Sequence, residues 1–358
     1  MKILLIGEYS GLHKELKGAL IEMGHQVTLA AANDFWKNFD SDINLGHGSN
    51  IYSYKARQIF LPLLNLKHLQ GYDVVHLVNF YIIPRFPLLN LLLIKFLKRN
   101  NGVVTLSGAG DDPFFVKYSD KTMRYSPIPS HEKFDRGGRY YMRSERHLKI
   151  MHEYLDNVDG VIPIMYEYYS TFCAAGYAVK TSVPIPIPIN CDQIKFQKNV
   201  FLNKITFFHG LNRPGFKGTH IIEKCFSELM RKYPSDVECI IAGKLPFSKY
   251  MEVLSKVNVS VDQVYSYSLG MNALYSMAQG KVVVGGAEPE SSILYEGELP
   301  PVYNALPGHE SLMGVFEKIL DERKDLNHIS IASRDFVAAK HAPALSAAKY
   351  INYWNSFE

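Results

Sequence analysis

Two basic residues lie four positions apart on a glycine-containing loop, in the stretch HGLNRPGFKG (209–218). The surrounding pattern places Arg213 and Lys217 after a predicted β-strand and before a predicted helix. Backbone N–H groups at a helix start attract anions, and two nearby cations would neutralise a bound negative charge. The pattern predicts an anion site with His209 at the strand end beside it, and the simpler alternative is a pair of solvated loop cations.

A second unusual segment is DQVYSYSLGMNALYSMAQGK (262–281), which has no charged side chain between its first and last residues. Gly270 precedes a predicted helix and Gly280 follows it. Tyr267 and Tyr275 lie on either side of the helix start. An uncharged helix start that begins with glycine is suited to a close approach of the backbone to another group.

In the first half of the chain, the loop GEYSG (7–11) joins the first predicted strand to the first predicted helix. It does not match G-x-G-x-x-G, so the sequence gives no support for a bound dinucleotide cofactor. Gly7 and Gly11 would face a ligand cleft. An ordinary βα turn is the alternative.

The stretch SGAGDD (107–112) places two carboxylates directly after another predicted strand. Asp111 and Asp112 therefore lie where the carboxyl end of a parallel strand opens into a ligand cleft. We favour Asp111 as a cleft residue, and the alternative for either acid is to cap the following helix.

These residues are carried by short β-rich runs that alternate with amphipathic helical stretches, a pattern typical of parallel α/β sheets. The predicted strands are KILLIG (2–7), QVTLAA (26–31), DVVHLV (73–78), GVVTLS (102–107), GVIPI (160–164), VKTSVPI (179–185), KITFFHG (204–210), VECIIAG (237–243), VNVSV (257–261) and KVVVGG (281–286).

A proline-rich stretch, PIPIPIN (184–190), separates the two series of strands, since its prolines cannot donate ladder hydrogen bonds. We therefore predict two doubly wound domains. They comprise an N-terminal domain at 1–185, a hinge at 186–200, a C-terminal domain at 201–340 and a terminal helix at 341–358.

Composition excludes several classes of protein. The 358 residues are 47% hydrophobic, and a net charge of +4 is too small and dispersed to indicate nucleic-acid binding. The four cysteines are far apart, so neither a metal site nor a disulfide framework is predicted. The apolar stretch 86–98 is too short and too interrupted to span a bilayer. We expect a cytoplasmic protein.

Residues 117–149 are rich in lysine, arginine and aromatic residues. Such a basic segment would guide an anionic substrate or contact the inner face of the cell membrane. The alternative is an ordinary solvated helix and loop.

The order of motifs in the second half resembles the C-terminal domain of GT-B-fold retaining glycosyltransferases of group 1, the family 4-like type that builds capsular and lipopolysaccharide chains. The likeness rests on the loop HGLNRPGFKG (209–218), a strand ending in glycine (237–243), the glycine-started helix at 270 and the run MAQGKVVVGG (277–286).

The resemblance implies transfer of a sugar from a nucleotide diphosphate sugar to an acceptor hydroxyl, on a glycan or a lipid-linked chain, with retention. It implies no metal or other cofactor, with Arg213, Lys217 and Asp111 as catalytic residues. The remaining donor contacts that it implies are made by Gly243, Lys244, Leu245, Tyr267, Gly270, Met271, Asn272, Ala273 and Tyr275. Gly7, Gly11, Asp112 and His209 would line the cleft.

The sequence departs from the family at two positions. Members carry a pair of glutamates where this chain has Tyr267 and Tyr275. A phenol accepts fewer hydrogen bonds than a carboxylate does. An active transferase with altered donor binding, a catalytically silent relative that acts as a binding protein, and a nucleotide-sugar epimerase all remain open at this point.

Overall fold

The computed structural model of the chain describes residues 1–32, 41–46, 51–83, 86–200, 204–243 and 245–357. The chain divides into two compact units. The first unit comprises Met1–Tyr118, Tyr141–Pro188 and Pro343–Glu358, and the second comprises Ser119–Tyr140 and Ile189–Ala342.

Each unit has a parallel β-sheet in its centre. The strands of the first unit are β1 (Lys2–Ile6), β2 (Gln26–Ala31), β3 (Ile43–Asn44), β4 (Val74–Leu77), β5 (Val103–Gly108) and β6 (Gly160–Pro163). Those of the second are β7 (Ile205–Leu211), β8 (Val237–Gly243), β9 (Val259–Val261), β10 (Val282–Gly285) and β11 (Tyr303–Asn304).

Helices connect most of the strands. They are α1 (Leu12–Glu22), α2 (Ile51–Leu64), α3 (Pro87–Asn100), α4 (Pro113–Thr122), α5 (Ile128–His131), α6 (Glu145–Leu155), α7 (Tyr166–Phe172), α8 (Pro214–Lys217), α9 (Thr219–Lys232), α10 (Phe247–Ser255), α11 (Met271–Ala278), α12 (His309–Asp321), α13 (Leu326–Lys340) and α14 (Pro343–Asn355).

The strand orders identify where each sheet would bind a ligand. The first sheet runs β3-β2-β1-β4-β5-β6 and the second β11-β10-β9-β7-β8. The winding of the chain reverses between β1 and β4 in the first sheet and between β7 and β9 in the second. Open parallel sheets bind their ligands outside the carboxyl ends of the strands at such a reversal.

The sequence explains why these segments form buried strands. In β1 (KILLI) every residue after Lys2 is buried, and all four residues of β10 (VVVG) are buried. Continuous apolar runs of this kind are typical of parallel strands, which helices cover on both faces. Helix α9 completes the second unit by packing an apolar stripe, including Ile222, Phe226 and Leu229, into its core.

The structure differs from the sequence expectation in two parts of the first half. VKTSVPI (179–185) does not form a strand: Ala178–Lys180 is a 3₁₀ turn, and Thr181 makes a single bridge to Val161. The segment runs beside β6, where Ser182 and Ile185 donate to the Val161 and Pro163 carbonyls, both at 2.9 Å. Val179 and Val183 are exposed, so these β-branched side chains have no buried face to pack against. The sequence analysis also missed the two short strands β3 and β11.

The domain boundaries also differ from the expected ones. Residues 119–140, which the sequence analysis placed in the N-terminal domain, are part of the second unit. The chain passes from one unit to the other within α4 and returns after Tyr140. The proline-rich stretch is buried rather than exposed from Pro184 to Ile189.

The terminal helix α14 belongs to the first unit, where it packs against α1. It buries Ala347, Tyr350 and Trp354. The Trp354 indole N–H donates a hydrogen bond to the Thr105 hydroxyl on β5, at 3.0 Å.

Candidate functional site

The predicted anion loop lies at the carboxyl end of β7, next to the winding reversal of the second sheet. The Lys217 ammonium is buried there and donates hydrogen bonds to the Asp262 carboxylate at 2.8 Å and to the Gly210 carbonyl at 3.0 Å. Asp262 directly follows β9. The sequence analysis assigned Lys217 to a diphosphate, whereas in this structure its charge is paired inside the protein.

Asp262 also connects the loop to the start of α11. Its other carboxylate oxygen would lie 3.4 Å from a Cβ atom built on Gly270. The side-chain amide of Asn272 reaches the vicinity of Gly210 on β7, at 3.9 Å from a Cβ built there. The Lys217 loop and the start of α11 therefore meet at one edge of the sheet.

The start of α11 has backbone amides that no side chain caps, and its residues are half-buried or buried. Gly270 is the N-cap residue, and no side chain caps the helix. The first amides of a helix have no intrahelical acceptor, and here these are the amides of Met271, Asn272 and Ala273. Tyr275 lies one turn further along, half-buried.

Arg213 immediately precedes α8, and its side chain is held from two sides. The guanidinium carbon lies 3.9 Å from the centre of the Phe216 ring, a cation–π contact. One guanidinium nitrogen lies 3.4 Å from Nε2 of His131. This contact was not predicted, because His131 belongs to the basic segment 117–149 and lies 82 positions before Arg213 in the sequence.

His209 is a structural residue. Because the Val261 carbonyl can only accept, His209 Nδ1–H donates to it at 2.8 Å, and the Thr219 hydroxyl donates to Nε2 at 2.9 Å. Burial, together with the nearby Lys217 charge, lowers the pKa of His209 to about 4. His209 therefore stays neutral and ties β7 to β9 and α9, in place of the cleft role that the sequence suggested.

Two of the predicted donor contacts, Gly243 and Leu245, lie at the end of β8. Gly243 is the last residue of that strand and pairs with Leu211 of β7. Leu245 follows and is half-buried. Lys244, the third predicted residue of this group, lies outside the described residues.

Residues 119–140 contribute a carboxylate to the anion loop. The Asp135 carboxylate accepts hydrogen bonds from the backbone amides of Gly215 at 2.8 Å and Phe216 at 2.9 Å, and contacts Nδ1 of His131 at 2.5 Å. Partial burial alone would raise the pKa of Asp135, but these hydrogen bonds outweigh it and the pKa is lowered. An acid of the protein itself therefore meets two amides of the predicted anion loop.

The same segment explains one of the two unexpected tyrosines. Tyr267 is buried, and its hydroxyl accepts the backbone N–H of Arg124 at 2.6 Å. The Arg124 guanidinium pairs with Glu288 and Glu290, which follow β10. The Tyr125 hydroxyl donates to Glu288 at 2.7 Å. Tyr267 is thus a docking point for the segment 119–140.

At the carboxyl edge of the first sheet, the GEYSG loop is a tight, self-capped turn. Gly7 has a φ of +84°, and a Cβ there would lie 2.4 Å from the Val78 side chain. The buried Glu8 carboxylate accepts the amides of Gly11 and Lys14, both at 2.8 Å, and so caps α1. The protein's own carboxylate occupies the start of this helix.

The two aspartates after β5 differ in position. Asp112 is buried and caps α4 by accepting the amides of Phe114 at 2.7 Å and Phe115 at 2.9 Å. Burial raises the pKa of Asp112 to about 7, although the two amides act in the opposite direction. Asp111 is half-buried at the edge of the sheet, where the sequence analysis expected a cleft carboxylate.

Over the described parts of the chain, none of the helices combines the length and the apolar content that crossing a bilayer requires.

The sequence matches no protein-family model, and it matches no curated protein. Solved structures with the same fold do exist. HepE of Anabaena, solved with UDP and glucose, aligns with a TM-score of 0.65 at 10% identity, over 99% of this chain and 100% of that chain.

Two further solved structures align over 99% of this chain and 99% of their own. Sucrose-phosphate synthase from Thermosynechococcus elongatus does so with a TM-score of 0.64 at 14% identity. The lipopolysaccharide outer core galactosyltransferase WaaB does so with a TM-score of 0.54 at 11% identity. Together with the two parallel sheets, these alignments show that the chain has the GT-B fold with two Rossmann-like domains.

Proposed function

We propose that this protein is a glycosyltransferase that moves a sugar from a nucleoside diphosphate to an acceptor hydroxyl. The observation that carries the proposal is the winding reversal between β7 and β9. It brings the Arg213 loop and the uncapped, uncharged start of α11 to the same sheet edge, with Asp262 between them. The fold adds support, since HepE, a protein of the same fold, was solved with UDP.

In the proposed reaction, the amides of residues 271–273 and the guanidinium of Arg213 stabilise the diphosphate as it leaves. Charge stabilisation by groups that are already in place is the largest contribution in many enzymes. Lys217 would contact a phosphate only after leaving Asp262. The cationic and amide groups supply this stabilisation without a metal ion.

We further propose that the configuration of the sugar is retained. The bond between the anomeric carbon and the leaving phosphate oxygen breaks, and the acceptor oxygen bonds to the same face. The departing phosphate takes the proton of the acceptor hydroxyl.

The acceptor that we propose is a glycan or lipid-linked chain of a surface polysaccharide or lipopolysaccharide, used at the inner face of the membrane. The likeness to WaaB supports this choice. Helix α3 supplies a second observation: Leu88 and Leu92 are 50% and 62% exposed, and Lys95 and Arg99 continue the same exposed face. Exposed leucines followed by basic residues suit a peripheral contact with anionic lipid.

Calorimetric titration with UDP, GDP and CMP tests the donor site. We expect one nucleotide to bind the parent protein, and we expect Arg213→Ala to weaken that binding by at least about tenfold, because a charge-assisted hydrogen bond contributes about 1.5–3 kcal/mol. Arg231→Ala is the matched control. Arg231 lies in the last turn of α9, so its removal should leave nucleotide affinity unchanged.

If the parent protein binds none of the three nucleotides, the proposal fails and a role as a binding protein replaces it. If Arg213→Ala and Arg231→Ala bind equally well, the assigned diphosphate site is wrong. NMR of a nucleotide sugar without any acceptor separates a transferase from an epimerase, because only an epimerase would convert the sugar under those conditions.

A further inference from the structure

Residues 119–140 contact the rest of the second unit at two separate places, both of them next to the proposed donor site. At one, Arg124 and Tyr125 bind Tyr267 and Glu288. At the other, the carboxylate of Asp135 accepts two amides of the 213–218 loop. The ring of Phe134 also stacks on His220, with centres 4.4 Å apart.

The fit at the second place is close enough to require a glycine. A Cβ atom on Gly215 would lie 2.5 Å from the Ser130 carbonyl oxygen and 3.0 Å from the Asp135 carboxylate. The first distance is too short for any side chain, because a backbone carbonyl cannot move aside as a flexible side chain would. The loop glycine that the sequence analysis attributed to anion binding is therefore needed for the docking of this segment.

The hydrogen bonds of His131 determine which of its ring nitrogens faces Arg213. Asp135 contacts Nδ1 of His131 at 2.5 Å, so an Nδ1–H donor satisfies the carboxylate. The opposite nitrogen, Nε2, then presents its lone pair. It accepts the Arg136 Nε–H at 3.1 Å and lies 3.4 Å from a guanidinium nitrogen of Arg213. A proton on Nε2 would instead point at two cations.

We propose that Asp135 and His131 are positioning residues for Arg213, and so determine how tightly the protein holds the diphosphate of its donor. The inference rests on the proposed function, because it assigns Arg213 to that diphosphate. The Asp135 carboxylate holds the imidazole in one tautomer and one orientation. The imidazole and the Phe216 ring lie edge to face, and both contact the guanidinium.

This arrangement has a chemical consequence. An arginine side chain has several rotatable bonds, and binding an anion normally requires that they be ordered. Here the ordering is done before the ligand arrives, by residues about 80 positions away in sequence. Loss of the arrangement should weaken diphosphate contacts and leave contacts to the base and ribose unchanged.

The test measures UDP and uridine binding, by calorimetry and NMR titration, for His131→Ala, His131→Gln, Asp135→Asn and the parent protein. We expect His131→Ala and Asp135→Asn to weaken UDP binding about tenfold, with uridine affinity within twofold of the parent. His131→Gln restores a side-chain acceptor and should recover part of the loss. A purely structural role would affect UDP and uridine alike.

Asp236→Asn is the matched control. Asp236 directly precedes β8, at the amino ends of the strands and away from the proposed site, and it pairs with Arg323 on the surface. Thermal melting of every variant establishes that it is folded. If the parent binds UDP and the variants bind it equally well, Asp135 and His131 do not position Arg213. If the parent binds none of UDP, GDP and CMP, the proposed function itself is refuted and this inference with it.

Discussion

The buried pair between Lys217 and Asp262 gives the sharpest prediction about stability. Both side chains are nearly inaccessible, at 10% and 4% exposure, and their charged atoms lie 2.8 Å apart. Lys217→Met keeps the aliphatic chain but leaves the Asp262 carboxylate without its cation and the Gly210 carbonyl without its donor. Breaking a buried pair from one side costs about 3–5 kcal/mol. We expect the second unit to lose stability by that amount.

Urea unfolding followed by circular dichroism measures the loss. Hydrogen exchange of peptides from β7 and β9 assigns it to the second unit. Lys204→Met is the matched control, since Lys204 is exposed and donates to the Pro234 carbonyl near the amino end of β7. Its loss should stay within about 0.5 kcal/mol.

A double variant measures how much of the loss comes from the interaction between Lys217 and Asp262. If the carboxylate left behind causes the loss, adding Asp262→Asn to Lys217→Met should cost less than the sum of the two single changes by at least about 1 kcal/mol. The reasoning is refuted if the free energy of unfolding of Lys217→Met lies within about 0.5 kcal/mol of that of the parent. The result also determines how activity is interpreted, because a destabilised Lys217 variant cannot by itself demonstrate a diphosphate contact.

Three further predictions concern other parts of the molecule. Tyr267→Phe removes the acceptor of the Arg124 amide, so it should cost about 1–2 kcal/mol and speed hydrogen exchange in peptides covering 123–131; unchanged exchange there would contradict the docking role. Asp112 has a pKa of about 7 in the folded protein, whereas an exposed aspartate titrates near 4. Between these values the folded state binds more protons, so stability falls as pH rises. In urea unfolding, Asp112→Asn should gain stability relative to the parent from pH 4 to 7, and a constant difference would show that Asp112 is not the cause. Leu92→Asp should reduce sedimentation with anionic vesicles about tenfold, whereas the same change at the exposed Ile331 of α13 should not; equal sedimentation of the two variants would exclude α3 as the lipid contact.

Local patterns were sufficient to predict most of the regular structure. VECIIAG was predicted as a strand over 237–243, and β8 spans Val237–Gly243. Helix α9 follows the anion loop, where a helix was predicted, and its apolar residues recur with helical spacing. Such patterns are carried within one segment, so they can be seen before any partner is known.

The prediction of a strand at 179–185 was wrong because strand formation also depends on residues outside the segment. β-branched residues favour a strand only where a neighbouring strand and a buried face are present. Val179 lacks the buried face, and no sequence pattern in that segment indicated its absence. The same limit applies to 119–140, whose binding partners Gly215 and Tyr267 lie far along the chain.

For the candidate site, the sequence by itself determined the chemical groups and their order: Arg213 and Lys217 after one strand, and a glycine-started helix without charge after another. Tertiary structure alone decided which group each charge meets. Lys217 is paired with Asp262, Asp135 accepts the amides of the anion loop, and Tyr267 holds Arg124. The physical reason is that electrostatic and hydrogen-bond energies depend on distance in space, and the fold, rather than the order of residues, sets those distances.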